Sequence, residues 1–300
     1  MRILLFGKNG QVGWELQRSL LPLGDLVVLD RRSTEFCGDL TDLKGIAETV
    51  QKIAPHIIIN AAAYTNVDKA EEEPNLASTI NTEAPSILAG EAKKLNAWLV
   101  HYSTDYVFDG NNNSHKKESD PTSPLNVYGR TKRDGEELIA TSGCQHLIFR
   151  TSWIYGTYGN NFIQTMLRLG KERDSLKVVN DQIGTPTGAE LLTDVTAHTV
   201  RTALQHPEVS GLYHLTADGH TSWHAYARLI FEQAQESGFE LKIQPDHLIA
   251  IPSDEFPSPA KRPHNSCLDT QKLQETFNIN LPSWEIPVRR ALKEIFAKNT

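Results

Sequence analysis

The start of the chain constrains its fold more than any other feature. Ile3-Leu4-Leu5-Phe6 runs without interruption into Gly7-Lys8-Asn9-Gly10-Gln11-Val12-Gly13, and Trp14, Leu16, Leu20 and Leu21 follow in a helical pattern. A short continuous apolar run reads as a strand buried on both faces of a parallel sheet. Glycines let the backbone approach a pyrophosphate, and a helix N-terminus offers free N–H groups at its positive dipole end. Strand, glycine turn and helix in immediate succession is the context a dinucleotide site requires. The spacing is Gly-x-x-Gly-x-x-Gly, not Gly-x-Gly-x-x-Gly. A tight turn without a ligand is the plainer alternative, and the flanking elements weigh against it.

The same alternation continues down the chain. Short apolar runs at 26–29, 57–59, 98–103, 147–150, 176–179, 212–215 and 248–251 read as strands. Helical patterns are expected at 41–53, 76–95, 128–140, 162–169, 188–204, 223–235 and 287–296. This predicts an α/β fold with a doubly wound parallel sheet and a smaller C-terminal α/β substrate domain. We expect residues 1–155 with about 176–206 to form the dinucleotide half, and about 156–175 with 207–300 the second. The Asn111-Asn112-Asn113 run reads as a loop tip.

Composition narrows the partners. The 300 residues carry a formal charge of −7 with no basic block, which speaks against nucleic acid. Cys37, Cys144 and Cys267 are odd in number and far apart, which argues against a disulfide framework and a cysteine-based zinc site. No stretch is long enough to span a membrane, and the opening run is too short for a signal peptide. The expected location is therefore cytoplasmic. His224, His247 and His264 lack metal-ligand spacing.

The second predicted strand ends at Asp30, about 20 residues past the glycines, where an acidic side chain commonly holds the adenosine ribose. Asp30 is equally read as a strand-end turn residue. Arg31 and Arg32 follow at once, and a guanidinium suits a 2′-phosphate. The two signals conflict, so use of both NADH and NADPH is expected. Asp39 and Leu40 are candidates to flank the adenine, with a helix N-cap at Asp39 or Thr41 as the alternative. Ala61-Ala62-Ala63-Tyr64-Thr65 puts small residues at a strand's carboxyl end, where a cofactor can lie close.

Tyr128-Gly129-Arg130-Thr131-Lys132 sets a phenol and an ammonium one helical turn apart on one face. A nearby cation favours a phenolate, so Lys132 is expected to lower the Tyr128 pKa. Thr104 ends the strand at 98–103, and could share one carbonyl oxygen with Tyr128. Tyr128 and Lys132 on a merely solvated helix is the plainer reading. Trp153 is either a stacking surface for a ring or a core tryptophan. Arg262 is either a diphosphate ligand or a surface charge.

Taken in order, the glycine turn, Ala61-Ala62-Ala63-Tyr64-Thr65, Ser103-Thr104-Asp105-Tyr106-Val107-Phe108-Asp109-Gly110, Tyr128-Gly129-Arg130-Thr131-Lys132 and Arg150-Thr151-Ser152-Trp153 resemble the extended short-chain dehydrogenase/reductases, a Rossmann-fold family. Within it the resemblance is to the dTDP-4-dehydrorhamnose reductases, and it runs nearly end to end. It implies Tyr128 as proton donor, with Lys132 and Thr104 completing a catalytic triad. It implies cofactor contacts from Gly10, Gln11, Val12, Asp30, Asp39, Leu40, Ala63, Tyr64 and Thr65. It implies nucleotide-sugar contacts from Thr104, Asp105 and Trp153, with Tyr106 tuning position, and Pro259-Ala260-Lys261-Arg262-Pro263 resembles the same reductases again. In some members it implies Mg2+ at a homodimer interface, held at the positions of Glu15, Glu190 and Glu294; three exposed helix carboxylates is the equal alternative. The related dehydratases carry Asp-Glu after the threonine to expel water. Here Asp105-Tyr106 lacks the glutamate, so ketone reduction is preferred over dehydration. The rivals are another sugar-nucleotide epimerase or dehydratase, and a non-catalytic regulatory subunit like the methionine adenosyltransferase beta subunit.

Overall fold

Each apolar run at the front of the chain becomes a strand because its side chains can be buried on both faces of a sheet. A computed structural model describes residues 1–112 and 114–298, so Asn113 of the expected loop tip lies outside the described residues. Six strands form the main sheet: β1 (Arg2–Phe6), β2 (Asp25–Leu29), β3 (Ile57–Asn60), β4 (Trp98–Thr104), β5 (Gln145–Thr151) and β6 (Gly211–His214). Their order is β6-β5-β4-β3-β1-β2, and every pairing is parallel. Successive side chains point to opposite faces. Ile3, Leu5, Ile57 and Ile59 meet Leu16 and Leu20 of helix Gln11–Leu20 and Leu192 of helix Ala189–Ala203. Leu4, Phe6 and Ile58 meet Ile46 and Val50 of helix Leu43–Ile53 and Leu88 of helix Ala84–Leu95. The strand order reverses between β1 and β3. In open parallel sheets, ligands bind at the carboxyl ends beside such a reversal.

A second core gathers Ile163, Leu167, Tyr226, Ile230, Val288 and Leu292. Strand pairing crosses the sequence-based division at two places. Leu176–Val179 pairs with Leu248–Ile251, and β6 joins the main sheet beside β5. Short apolar runs carry no information about which strand they will pair with.

Two element boundaries differ from expectation. Helix Leu43–Ile53 is capped by Asp42, whose side chain accepts from the Gly45 N–H, so neither Asp39 nor Thr41 is the N-cap. Asp39 Oδ1 instead accepts from the Thr41 N–H and hydroxyl at 2.9 and 2.8 Å. The expected helix over 76–95 is not one α-helix either. Pro74–Ser78 and Ala84–Leu95 flank a π-helical stretch, Thr79–Glu83. Pro85 has no N–H to give the Asn81 carbonyl, which frees that carbonyl from an α-helical bond. A Cβ on Gly135 would stand 2.2 Å from this oxygen, so the helix carrying Tyr128 packs directly against it. The Asn81 side chain, fully buried, accepts from the Tyr64 N–H at 2.8 Å and donates to the Tyr64 carbonyl at 3.1 Å and Thr131 Oγ1 at 3.2 Å. Asn81→Ala is expected to lower stability by about 1–3 kcal/mol, because it strands both Tyr64 backbone groups. Urea denaturation measures this; an unchanged midpoint would deny Asn81 that role.

Candidate active site

The glycine turn is shaped by close approach. Gly7 has φ +93°, and a Cβ there would lie 2.8 Å from the Ala61 carbonyl carbon and the Ala62 nitrogen. A Cβ on Gly13 would lie 2.0 Å from the Gly7 oxygen, so this glycine serves helix–strand packing. Gly10 precedes helix Gln11–Leu20, which has no side-chain cap and no acidic residue in its first turn. Its N-terminal N–H groups are therefore not claimed by a side-chain cap or repelled from an anion, as a diphosphate site needs.

The turn opens on a long cleft with two lobes. One, of about 690 Å³, is lined by Asp30, Arg31, Arg32, Asp39, Leu40 and Tyr64 among others. The other, of about 700 Å³, is lined by Gln11, Val12, Thr104, Asp105, Tyr106, Tyr128, Lys132 and Trp153 among others. Gly7, Gly10, Ala62, Ala63 and Thr65 line both. The residues fit an extended dinucleotide: small residues and an uncapped helix in the middle, an acid and two guanidiniums at one end. Asp30 accepts from Asn9 Nδ2, and at 2.9 Å from the Arg32 N–H.

Helix Val127–Ser142 and the end of β4 meet in the second lobe. Asn126 caps the helix, its side chain accepting from the Gly129 N–H at 2.8 Å. A Cβ on Gly129 would lie 2.1 Å from the Tyr106 oxygen, so this glycine lets the helix start press against the β4 end. Tyr128 and Thr104 line the same lobe, with the Thr104 hydroxyl close enough to act on the phenol. Lys132, 1% exposed, donates to the Tyr102 carbonyl at 2.6 Å and contacts His101 Nε2 at 3.0 Å.

The electrostatics correct one expectation. Lys132 does not pull the Tyr128 pKa down. Burial pushes the phenol up to about 12, with the Thr104 hydrogen bond working against that and Asp105 with it. Desolvation disfavours the charged form and here outweighs any cation. Burial also brings the Lys132 ammonium down to about 8, opposed by Glu136.

The Asp105 carboxyl, 3% exposed, is pushed up to about 7 by burial, with the Ser266 and Thr104 hydroxyls working the other way. Its Oδ2 has no hydrogen-bond partner within the protein, and neither do Ser103 Oγ and Thr151 Oγ1. All three residues line the lobe. Buried polar atoms without partners are costly, and in a cleft they mark where a polar ligand docks. Trp153 sits at φ +47° and stacks on Trp223, centroids 3.5 Å apart. Its ring also packs on Gly184, where a Cβ would lie 2.4 Å from Cε2. Tyr106 packs edge-on to Tyr128 at 5.7 Å.

Arg262 bonds Asp68 Oδ2 at 2.7 Å and the Ala260 carbonyl at 3.2 Å, and stands behind Tyr106, which lines the lobe. Glu15, Glu190 and Glu294 line one separate cavity of about 240 Å³. Arg290 bonds both Glu190, at 3.1 Å, and Glu294, at 3.3 Å, while Arg18 takes Glu15 at 3.3 Å. A guanidinium already stands where a cation between these carboxylates would sit, so this arrangement does not fit Mg2+. Sequence reasoning missed Trp223, Tyr158 and Asn161. Tyr158 donates to the Gly10 carbonyl at 3.2 Å and Asn161 to Gln11 Oε1 at 2.8 Å, folding a distant loop over the glycine turn. No spacing in the chain signals these contacts.

The family model for the RmlD substrate binding domain matches residues 1–297. The chain is 56% identical over 300 residues to the dTDP-4-dehydrorhamnose reductase of Salmonella typhimurium, covering 100% of each. The chain belongs to the dTDP-4-dehydrorhamnose reductase family. Solved members superpose closely. A dTDP-4-dehydrorhamnose reductase from Bacillus anthracis in complex with NADP gives a TM-score of 0.85 at 36% identity, covering 99% of both chains. An orthologue from Clostridium acetobutylicum gives 0.87 at 35% identity, covering 98% of this chain and 99% of that one. Among the described residues, no helix of this family member is long and apolar enough to cross a membrane.

Proposed function

We propose that the chain reduces the C4 ketone of dTDP-4-dehydro-β-L-rhamnose to dTDP-β-L-rhamnose, the closing step of dTDP-L-rhamnose formation. The observation that carries this reading is that Thr104, Tyr128 and Lys132 line one lobe of a glycine-cradled cleft. Bound NADPH or NADH supplies the hydride. In this reading one ketone oxygen sits between the Thr104 and Tyr128 hydroxyls, which line the same lobe. With its pKa pushed up to about 12, Tyr128 is a protonated phenol at neutral pH and gives its proton to the developing alkoxide. Lys132, cationic below about pH 8, offsets the charge on the phenolate left behind. Asp105 and Thr151 offer the sugar hydroxyls polar partners, and the stacked Trp153–Trp223 pair supplies an apolar wall.

The test is NADPH oxidation with dTDP-4-dehydrorhamnose, expected one for one. An epimerase or dehydratase would turn over without net NADPH loss. Cofactor binding without turnover on any sugar nucleotide would favour a regulatory subunit.

Two further outcomes follow. Because Lys132 must carry its proton, kcat/KM should fall as pH rises through about 8; a flat profile to pH 10 would remove that requirement. Because Asp30 suits a free ribose and Arg31 and Arg32 suit a 2′-phosphate, NADH and NADPH should both serve. Arg31→Ala should then lower kcat/KM for NADPH at least about tenfold more than for NADH, the size of one charge-assisted hydrogen bond. Equal losses with both cofactors would place Arg31 outside 2′-phosphate recognition.

A further inference from the structure

Three segments distant in sequence bring His115, His220 and Cys267 together. Their donor atoms, one imidazole nitrogen each and the Cys267 Sγ, all lie within 4.8 Å of one another. Among the described residues, this is the one group of three or more His, Cys, Asp or Glu side chains gathered so closely. The two histidines are exposed and Cys267 is buried. We propose that this trio is a binding site for a borderline divalent transition-metal ion, Zn2+ by its chemistry.

The donor set selects the ion. Imidazole and thiolate suit zinc, whereas carboxylates and carbonyls suit magnesium or calcium. Ligand atoms on one tetrahedral zinc, with bonds of about 2.0–2.3 Å, lie about 3.3–3.8 Å apart. Closing the trio around an ion therefore takes a movement of about 1 Å, which exposed loop imidazoles can make. Water would fill the fourth position. The thiol proton leaves to solvent on ligation, since zinc binds the thiolate.

The backbone beneath the trio is already fixed. The Lys116 N–H donates to the Cys267 carbonyl at 2.9 Å, and the Cys267 N–H to Asn265 Oδ1 at 3.0 Å. Asn265 Nδ2 in turn holds the Ser114 carbonyl at 2.9 Å. Beside His220, the Gly219 carbonyl accepts from Thr185 Oγ1 at 2.7 Å. The His115 and His220 rings meet edge to face at 5.7 Å. A metal here would staple the loop after β4 and the turn after β6 to the strap that sets Ser266 beside Asp105. The sequence argued against a cysteine-based zinc site because no two cysteines are near neighbours. A mixed set drawn from three loops leaves no such spacing to find.

Chelator-stripped full-length protein titrated with Co2+ should take up one ion per chain and develop thiolate-to-cobalt charge-transfer absorption, which Zn2+ abolishes. Cys267→Ser and His220→Ala should each weaken Zn2+ binding at least about 100-fold, beyond the range for loss of an outer-shell partner. Zn2+ should raise the Tm of the native chain and not of either variant. Where Cys267→Ser fails to fold, His115→Ala, altered at an exposed side chain, carries the same comparison. Native-like Zn2+ affinity in these variants, or a cobalt complex without the charge-transfer band, overturns the site.

Discussion

Tyr128→Phe is expected to lower kcat by about 10²–10⁴-fold, the usual value of a positioned general acid, while NADPH affinity changes little. The substitution removes one oxygen. Tyr128 is half-buried, so the ring still fills its place against Tyr106, and the cofactor lobe at Asp30, Arg31 and Leu40 is untouched. The Thr104 hydroxyl stays, held by Asp105 Oδ1 at 3.1 Å, but it is a far weaker acid. The expected signature is a loss in kcat, measured by NADPH oxidation, with dissociation constants from fluorescence unchanged. Turnover within about tenfold of the native chain would mean another group gives the proton. A parallel loss of NADPH affinity would mean Tyr128 chiefly builds the cofactor site.

The state of that phenol divides what the sequence could reveal from what it could not. Tyr128 and Lys132 were legible as a pair because helical spacing alone puts them on one face. Their protonation was not, because it depends on burial. Lys132 spends its ammonium on the Tyr102 carbonyl and His101, which arrive from β4. The glycine turn was legible for the same local reason, each glycine answering to a backbone neighbour a few residues away or one strand across. Arg262 and the three glutamates were legible only in their charge. Their charges suggested anion and cation sites, yet Asp68, Arg18 and Arg290 come from elsewhere in the chain to neutralise them. Trp223 and Tyr158 reach the cleft only through tertiary packing. Residue type announces a group's chemistry, but its partner decides whether that chemistry is free to act.

Glu136→Ala should destabilise the chain by about 3–5 kcal/mol, the cost of leaving one charge of a buried pair alone. Glu136 and Arg150 are 5% and 4% exposed. Arg150 gives Nε to Glu136 Oε1 at 3.0 Å and Nη2 to Oε2 at 2.7 Å, a buried two-point contact. Its remaining Nη1 has no hydrogen-bond partner, and its guanidinium lies 5.0 Å from the Phe108 ring, so little else compensates it. The pair ties helix Val127–Ser142 to β5, whose last residue Thr151 and following Trp153 line the cleft. It also reaches the chemistry, since Glu136 stands one turn beyond Lys132 and holds that ammonium's pKa up against burial. Removing it should move the alkaline limb of kcat/KM below about pH 8 as well as lower the urea midpoint. Glu136→Leu combined with Arg150→Met, which takes away both charges and keeps the volume, should recover most of the stability. It should not recover the pH limb, because Lys132 still lacks its carboxylate. A loss below about 1 kcal/mol in the single variant would mean that Arg150 finds water or another partner and the pair is not the tie described.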